Sequence, residues 1–231
     1  MGFFDRLRDA AARAASQAAE GAEKLAKQVA ASNTGFLAES AAEMLAEREY
    51  RRARALCDEG VTVTNAPLII EILTPYAGTD CGHNVLISYL LAQAHDVLDQ
   101  DEQAWTQYQR AVDLMHDVLQ RRDAEPLILE DQGILGDEFE AKLLVALASL
   151  ALAAEDWNGC IRRCREAIGV DRHAHTAFYL QAVAMLRRGQ PAEEVAELFA
   201  KALNEVDGAT IMAWVEELLP EQREWFARLT G

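Results

Sequence analysis

Four groups of residues have the types and spacing for chemistry. Cys160 and Cys164 stand one helical turn apart, a spacing suited to a two-thiolate metal site or a vicinal redox pair. Cys81-Gly82-His83 sets a thiol beside an imidazole, the ingredients of an activated nucleophile. His173 and His175 offer two imidazoles, and Glu130, Asp131, Asp137, Glu138 and Glu140 a run of carboxylates. Each group reads more simply as packing or turn. Cysteine nucleophiles and their bases meet in space from different elements, and Gly78, Thr79, Asp80 and Gly82 around Cys81 describe a turn. Two histidines two residues apart at a helix start point to different faces. The acidic run lacks the EF-hand spacing. No Walker A, GxSxG, HExxH or dinucleotide fingerprint occurs. The expectation is a protein that is not an enzyme, with no catalytic residue, cofactor or metal.

Composition bounds what could position such residues. The chain has 231 residues, with 22 Lys+Arg against 38 Asp+Glu and a formal net charge of −16. At 51% hydrophobic it is too apolar for disorder. Its 5 Pro and 13 Gly are too few for an all-β chain of many tight turns, and 42 residues are Ala, a strong helix former. The acidic balance disfavours nucleic acid, whose phosphates select Lys and Arg. No run of 18 apolar residues could span a membrane, and charges throughout the N-terminus exclude a secretory signal. Four cysteines are too few for a disulfide scaffold. The expected place is a reducing cytoplasm, with a peripheral position at the membrane as the rival.

Charge and punctuation divide the chain at Ser32-Asn33-Thr34-Gly35. Residues 1–32 carry five basic and four acidic side chains, leaving −17 for the remainder. Within them Phe3, Phe4, Leu7, Ala11, Ala14, Ala18, Ala22, Leu25 and Val29 recur at helical steps. That stripe is mostly methyl groups, so its adhesive end is Phe3, Phe4 and Leu7, beside Arg6 and Arg8. We read 1–32 as an Ala-rich amphipathic docking helix and 33–231 as a second domain. There, expected helices pair as 36–47 with 50–61, 85–98 with 102–121, 138–154 with 157–168, and 174–188 with 192–206. Helices 209–218 and 221–229 follow, broken at Pro220. The apolar run 67–73 is expected as a short helix or packed loop, because a lone strand has no partner.

The second helices of the pairs share a pattern. Asp156-Trp157 leads to Cys160, Cys164, Ala167 and Asp171. The same spacing runs through Tyr50, Ala53, Cys57 and Gly60, through Ala104, Tyr108 and Ala111, and, after one inserted residue, through Val195, Phe199 and Ala202. Ala41, Ala92, Ala148 and Ala182 stand at the matching small site of the first helices. Close helix packing needs small side chains where backbones approach. The pattern resembles the tetratricopeptide repeat (TPR), in degenerate form, over roughly 34–206. The third and fourth repeats keep its 34-residue period, and insertions fall at 65–84 and 117–137. The resemblance implies an all-α, right-handed helix-pair solenoid of about four repeats with C-terminal capping helices.

The resemblance also implies a function: the first helix of each repeat lines a concave groove that grips another protein. By position the groove would display Leu45; Leu86, Tyr89, Gln93 and Val97; Lys142, Val145, Ser149 and Leu152; and Tyr179, Val183, Leu186 and Arg187. With only Lys142 and Arg187 basic, it does not suit an acidic chain terminus. An apolar groove suits an amphipathic helix or an apolar peptide. The expected role is a non-enzymatic adaptor or scaffold with a protein partner. The rival is a membrane-surface protein anchored through residues 1–30.

Overall fold

The computed structural model describes residues 35–57, 60–120, 128–129, 133–134 and 136–203, with Val206, Leu218 and Arg223 besides. The docking helix and the helices expected over 209–218 and 221–229 lie outside the described residues, apart from those last two positions. Among the described residues eight α-helices follow one another: α1 Gly35–Arg54, α2 Ala66–Leu73, α3 Asn84–Asp96, α4 Asp101–Gln120, α5 Asp137–Ala153, α6 Trp157–Val170, α7 His175–Arg187 and α8 Ala192–Ala202. A 3-10 turn, Thr74–Tyr76, extends α2. One antiparallel ladder joins β1 Ile128–Leu129 to β2 Gly133–Ile134 inside the expected insertion. The chain forms two compact units, Met1–Gln107 and Tyr108–Gly231.

The first expected pair is corrected. Residues 36–47 and 50–61 do not form two helices; α1 runs unbroken for 20 residues and ends at Arg54. Arg48 and Glu49 are neither breakers nor caps, so nothing stops the ladder between them. The Glu49 carboxylate is instead gripped by Arg48 at 2.6 Å and by Arg52 at 3.2 Å on the same helix. Gly60, expected at a small packing site, is exposed and makes the turn at φ +95°. Glycine takes that left-handed backbone without steric cost. Asn65 locks the loop: its amide donates to the Leu56 carbonyl at 2.8 Å, and its Oδ1 accepts from the Thr62 amide at 2.7 Å. In this unit α1 packs on α2 and α2 on α3. The apolar run is a short helix that buries Ala66, Ile69, Ile72 and Leu73.

The remaining helices keep the expected boundaries to within four residues, and a recurring turn shows why. At the ends of α3, α5 and α7 the chain closes with the same pair of hydrogen bonds. The Gln100, Asp156 and Gln190 amides donate back to the His95, Ala151 and Met185 carbonyls at 3.0, 2.9 and 3.0 Å. The Asp99, Glu155 and Gly189 amides donate to the Asp96, Leu152 and Leu186 carbonyls at 3.0, 3.1 and 2.9 Å. Those three residues are left-handed, at φ +55°, +59° and +90°. This is the Schellman closure of a helix C-terminus, repeated three times at the matching place.

Packing follows the same repeat. In the second unit α5 packs on α6, α6 on α7 and α7 on α8, and α5 also touches α7. Ala53, Ala92, Ala104, Ala111, Ala148, Cys160, Ala167, Ala182, Val195 and Ala202 all have 0% exposure. Of the twelve sites expected to be small, only Ala41 and Gly60 are not wholly buried. A fully buried Cβ with little beyond it is what lets two helix backbones close up.

Candidate functional site

The residues with chemical potential are placed by this packing, and the packing explains them. Cys160 and Cys164 are wholly buried on α6, their Sγ atoms 4.0 Å apart, with Cys160 Sγ 3.7 Å from the Leu180 carbonyl on α7. The hydrogen bond with Cys160, and then burial, push the Cys164 thiol far up, so it holds its proton. Cys81 does lie in a turn, but it is buried rather than open. Burial raises its thiol first and the carboxylates of Asp80, Glu43 and Glu47 add to this; the His83 backbone amide acts the other way. These are the opposite of the electropositive surroundings an activated cysteine needs. The His83 ring lies 5.0 Å from the Tyr50 ring, centroid to centroid.

His173 and His175 have ring centroids 6.3 Å apart. The Arg172 Nε donates to His173 Nε2 at 3.2 Å, and His175 Nδ1 donates to the Lys201 carbonyl at 3.1 Å, so one nitrogen of each ring is engaged. Among the described residues, no group of three or more His, Cys, Asp or Glu side chains could hold a metal. No described helix is long and apolar enough to cross a membrane.

The expected groove residues divide into open and closed sets. On α3 only one line is open in mid-helix: Tyr89 and Gln93 are half-buried and Val97, just past the helix, is exposed, whereas Leu86 is buried. Leu45 on α1 is half-buried. On α5, Lys142 and Ser149 are exposed and Val145 and Leu152 half-buried. Spacings of three and four put those side chains on one stripe. On α7 the matching line is closed. Tyr179 is 1% exposed and Val183 5%, and the Tyr179 ring packs edge-on against Phe199 at 6.0 Å. From Ala177 to Ala184 only Phe178 is not buried, so the middle of α7 is covered on most of its circumference. Tyr179 and Val183 thus belong to the core of their unit, and only Leu186 and Arg187 stay half-buried.

One surface was not expected as a site. The solvent face of α6 carries Arg162 and Arg165, and the turn beyond it Arg172, all exposed. The signal was available: residues 157–175 hold four arginines against two acids in a chain of −16.

No protein-family model matches the sequence, and no curated protein matches it. Among solved structures, the crystal structure of MamA protein, a TPR-like helical repeat protein, is similar with a TM-score of 0.52 at 15% identity. The match covers 83% of this chain and 98% of that one. The architecture of this chain is therefore an all-α helical-repeat fold.

Proposed function

We propose that the chain is a non-enzymatic, TPR-type scaffold that binds another protein, acting in a reducing compartment. The observation that carries the reading is the stripe on α5. A helix that packs on both α6 and α7 still presents Lys142, Val145, Ser149 and Leu152 in a line open to solvent. Two half-buried apolar side chains between polar ones suit an amphipathic helix, whose apolar edge would cover Val145 and Leu152. In the first unit Tyr89, Gln93 and Val97 offer a second line of the same character. Residues 1–32 act as a docking element on the partner or on a repeat face, through Phe3, Phe4 and Leu7. The repeat domain over 33–231 supplies the surfaces.

The test is a pull-down with mass spectrometry using the full chain, residues 33–231, and a Val145→Asp/Leu152→Asp variant. A partner that co-purifies with the full chain, binds it directly when purified, and is lost from the variant supports the reading. A partner retained by the variant with unchanged affinity overturns the α5 stripe as its site. A partner lost only on removing 1–32 assigns binding to the docking helix instead.

A further inference from the structure

The solvent face of α6 goes beyond that reading, because it is a different surface with different chemistry. The inward face of the helix, Cys160, Ile161, Cys164 and Ala167, is buried. Outward, Arg162 and Arg165 make no hydrogen bond or ion pair among the described residues. Arg163 between them is different: it donates to Glu166 at 2.8 Å and also bonds Gln109. Glu166, the one acid on this face, is thus already countered. Gly169 continues the line of Arg162 and Arg165, and a side chain there would meet nothing within 4 Å. Past the helix Arg172 is also exposed, its Nε donating to His173 Nε2 at 3.2 Å, while the Asp171 carboxylate is occupied by the His173 amide at 2.8 Å. The helix dipole does not account for these cations, since the last turn of α6 contains none.

We propose that this face is a docking surface for a short acidic peptide segment of a partner protein. Charge complementarity names the acid. The rest of the chain names the length. Residues 157–175 are net positive by two, so the remainder carries −18. An extended polyanion such as duplex nucleic acid, an anionic bilayer or a second copy of this chain would feel that remainder as repulsion. A short segment within about 8 Å, the screening length at physiological salt, feels mainly the local arginines. From Arg162 to the end of the helix at Val170 the backbone rises roughly 12 Å. An extended peptide covers that length with about four residues at ~3.3 Å each, so five also reach the turn beyond it. Guanidinium groups pair carboxylates in bidentate fashion, and the open space over Gly169 lets a backbone lie close.

The test is fluorescence anisotropy of a labelled pentaglutamate peptide on the full-length protein, with pentaglutamine as the neutral control. Saturable binding of the glutamate peptide alone is expected, weakening as salt rises from about 50 to 200 mM. Arg162→Gln with Arg165→Gln should weaken it by about tenfold or more. Arg51→Gln, an exposed arginine already paired with Glu47 at 2.6 Å, should leave it unchanged. All these sites are on the surface, and far-UV circular dichroism confirms the fold of each variant. Absent binding, or binding indifferent to the double substitution, overturns the proposal. So does displacement by inorganic phosphate at equal total charge, which would mean a lone-anion site. Tighter arginine-dependent binding of duplex DNA or anionic vesicles, or self-association lost in the double variant, assigns the face to a different partner and overturns it likewise.

Discussion

Replacing Gly159 by Ala sets two effects against each other at the start of α6. The Asp156 carboxylate caps that helix by accepting the Gly159 amide at 2.9 Å. A Cβ on residue 159 would stand 2.1 Å from Asp156 Oδ2 and 2.7 Å from its Cγ. The alanine methyl and the capping carboxylate therefore exclude one another. Alanine in place of glycine in a helix stabilises by roughly 0.5–1 kcal/mol. Loss of an Asp N-cap costs about 0.5–2 kcal/mol. Gly159→Ala alone should then leave α6 between about 0.5 kcal/mol more stable and about 1.5 kcal/mol less stable. In an Asp156→Ala background the cap is already gone, and the same substitution should stabilise by roughly 0.5–1 kcal/mol. The double-mutant coupling is about 1 kcal/mol. Because the chain has two compact units, one global unfolding energy is ill-defined. Native-state amide exchange within α6 is the local assay, and that coupling is roughly a fivefold change in exchange rate. If Gly159→Ala slows exchange equally in both backgrounds, the carboxylate does not lie over residue 159 and the cap geometry is wrong.

Other outcomes follow from the same packing. Ala148→Leu and Ala182→Leu, both at wholly buried positions, should each cost about 1–3 kcal/mol by overpacking; denaturation curves unchanged at both sites would refute the repeat register. Glu155→Gly should stabilise by roughly 0.5–1 kcal/mol, because the left-handed turn at φ +59° strains an L side chain and not glycine; a lower Tm would contradict it. All four cysteines should react slowly with a thiol reagent in the native state, Cys81 included, since all are buried; rapid labelling of one equivalent would show an open site. The raised thiols of Cys81 and Cys164 also set a pH dependence. Above about pH 8.5 the unfolded chain releases these protons while the folded chain keeps them. Their stabilisation is thus complete below that pH and declines as pH rises, so Tm should fall less steeply there in Cys81→Ala than in the wild-type chain.

Helices α3 to α8 were legible because two independent signals agreed, small residues at fixed offsets and turn residues between them. Asp99, Glu155 and Gly189 mark the turns, and Ala104, Cys160 and Val195 follow at five or six residues. The region of α1 failed for a local reason. Tyr50, Ala53 and Cys57 match the second-helix pattern and are buried as expected, but the pattern is silent on what precedes it. Without a breaker at Arg48-Glu49 the helix extends backwards. The α5 stripe was legible because its open side is set by helix periodicity alone. The burial of Tyr179 and Val183 was not legible because burial on a helix depends on everything packed around it, and the middle of α7 is covered on most of its circumference. The Arg162–Arg165 face was visible only as charge, and became a surface once Arg163 and Glu166 were seen to pair.

The wholly buried small sites have a consequence for how such a chain diverges. What each site requires is volume, not identity. Cys160 and Val195 occupy places where other repeats have Ala, with the same zero exposure. A lineage can exchange Ala, Cys, Ser, Gly or Val at a dozen positions and almost anything on the solvent faces, while the helices keep their spacing. Recognition by residue identity then fades long before the architecture does, which is the situation of a chain with a solved structural neighbour and no matching family model. Drift is freest where repeats face solvent, as on α5 and α6, so each copy of the module can acquire its own partner without renegotiating the core that carries it.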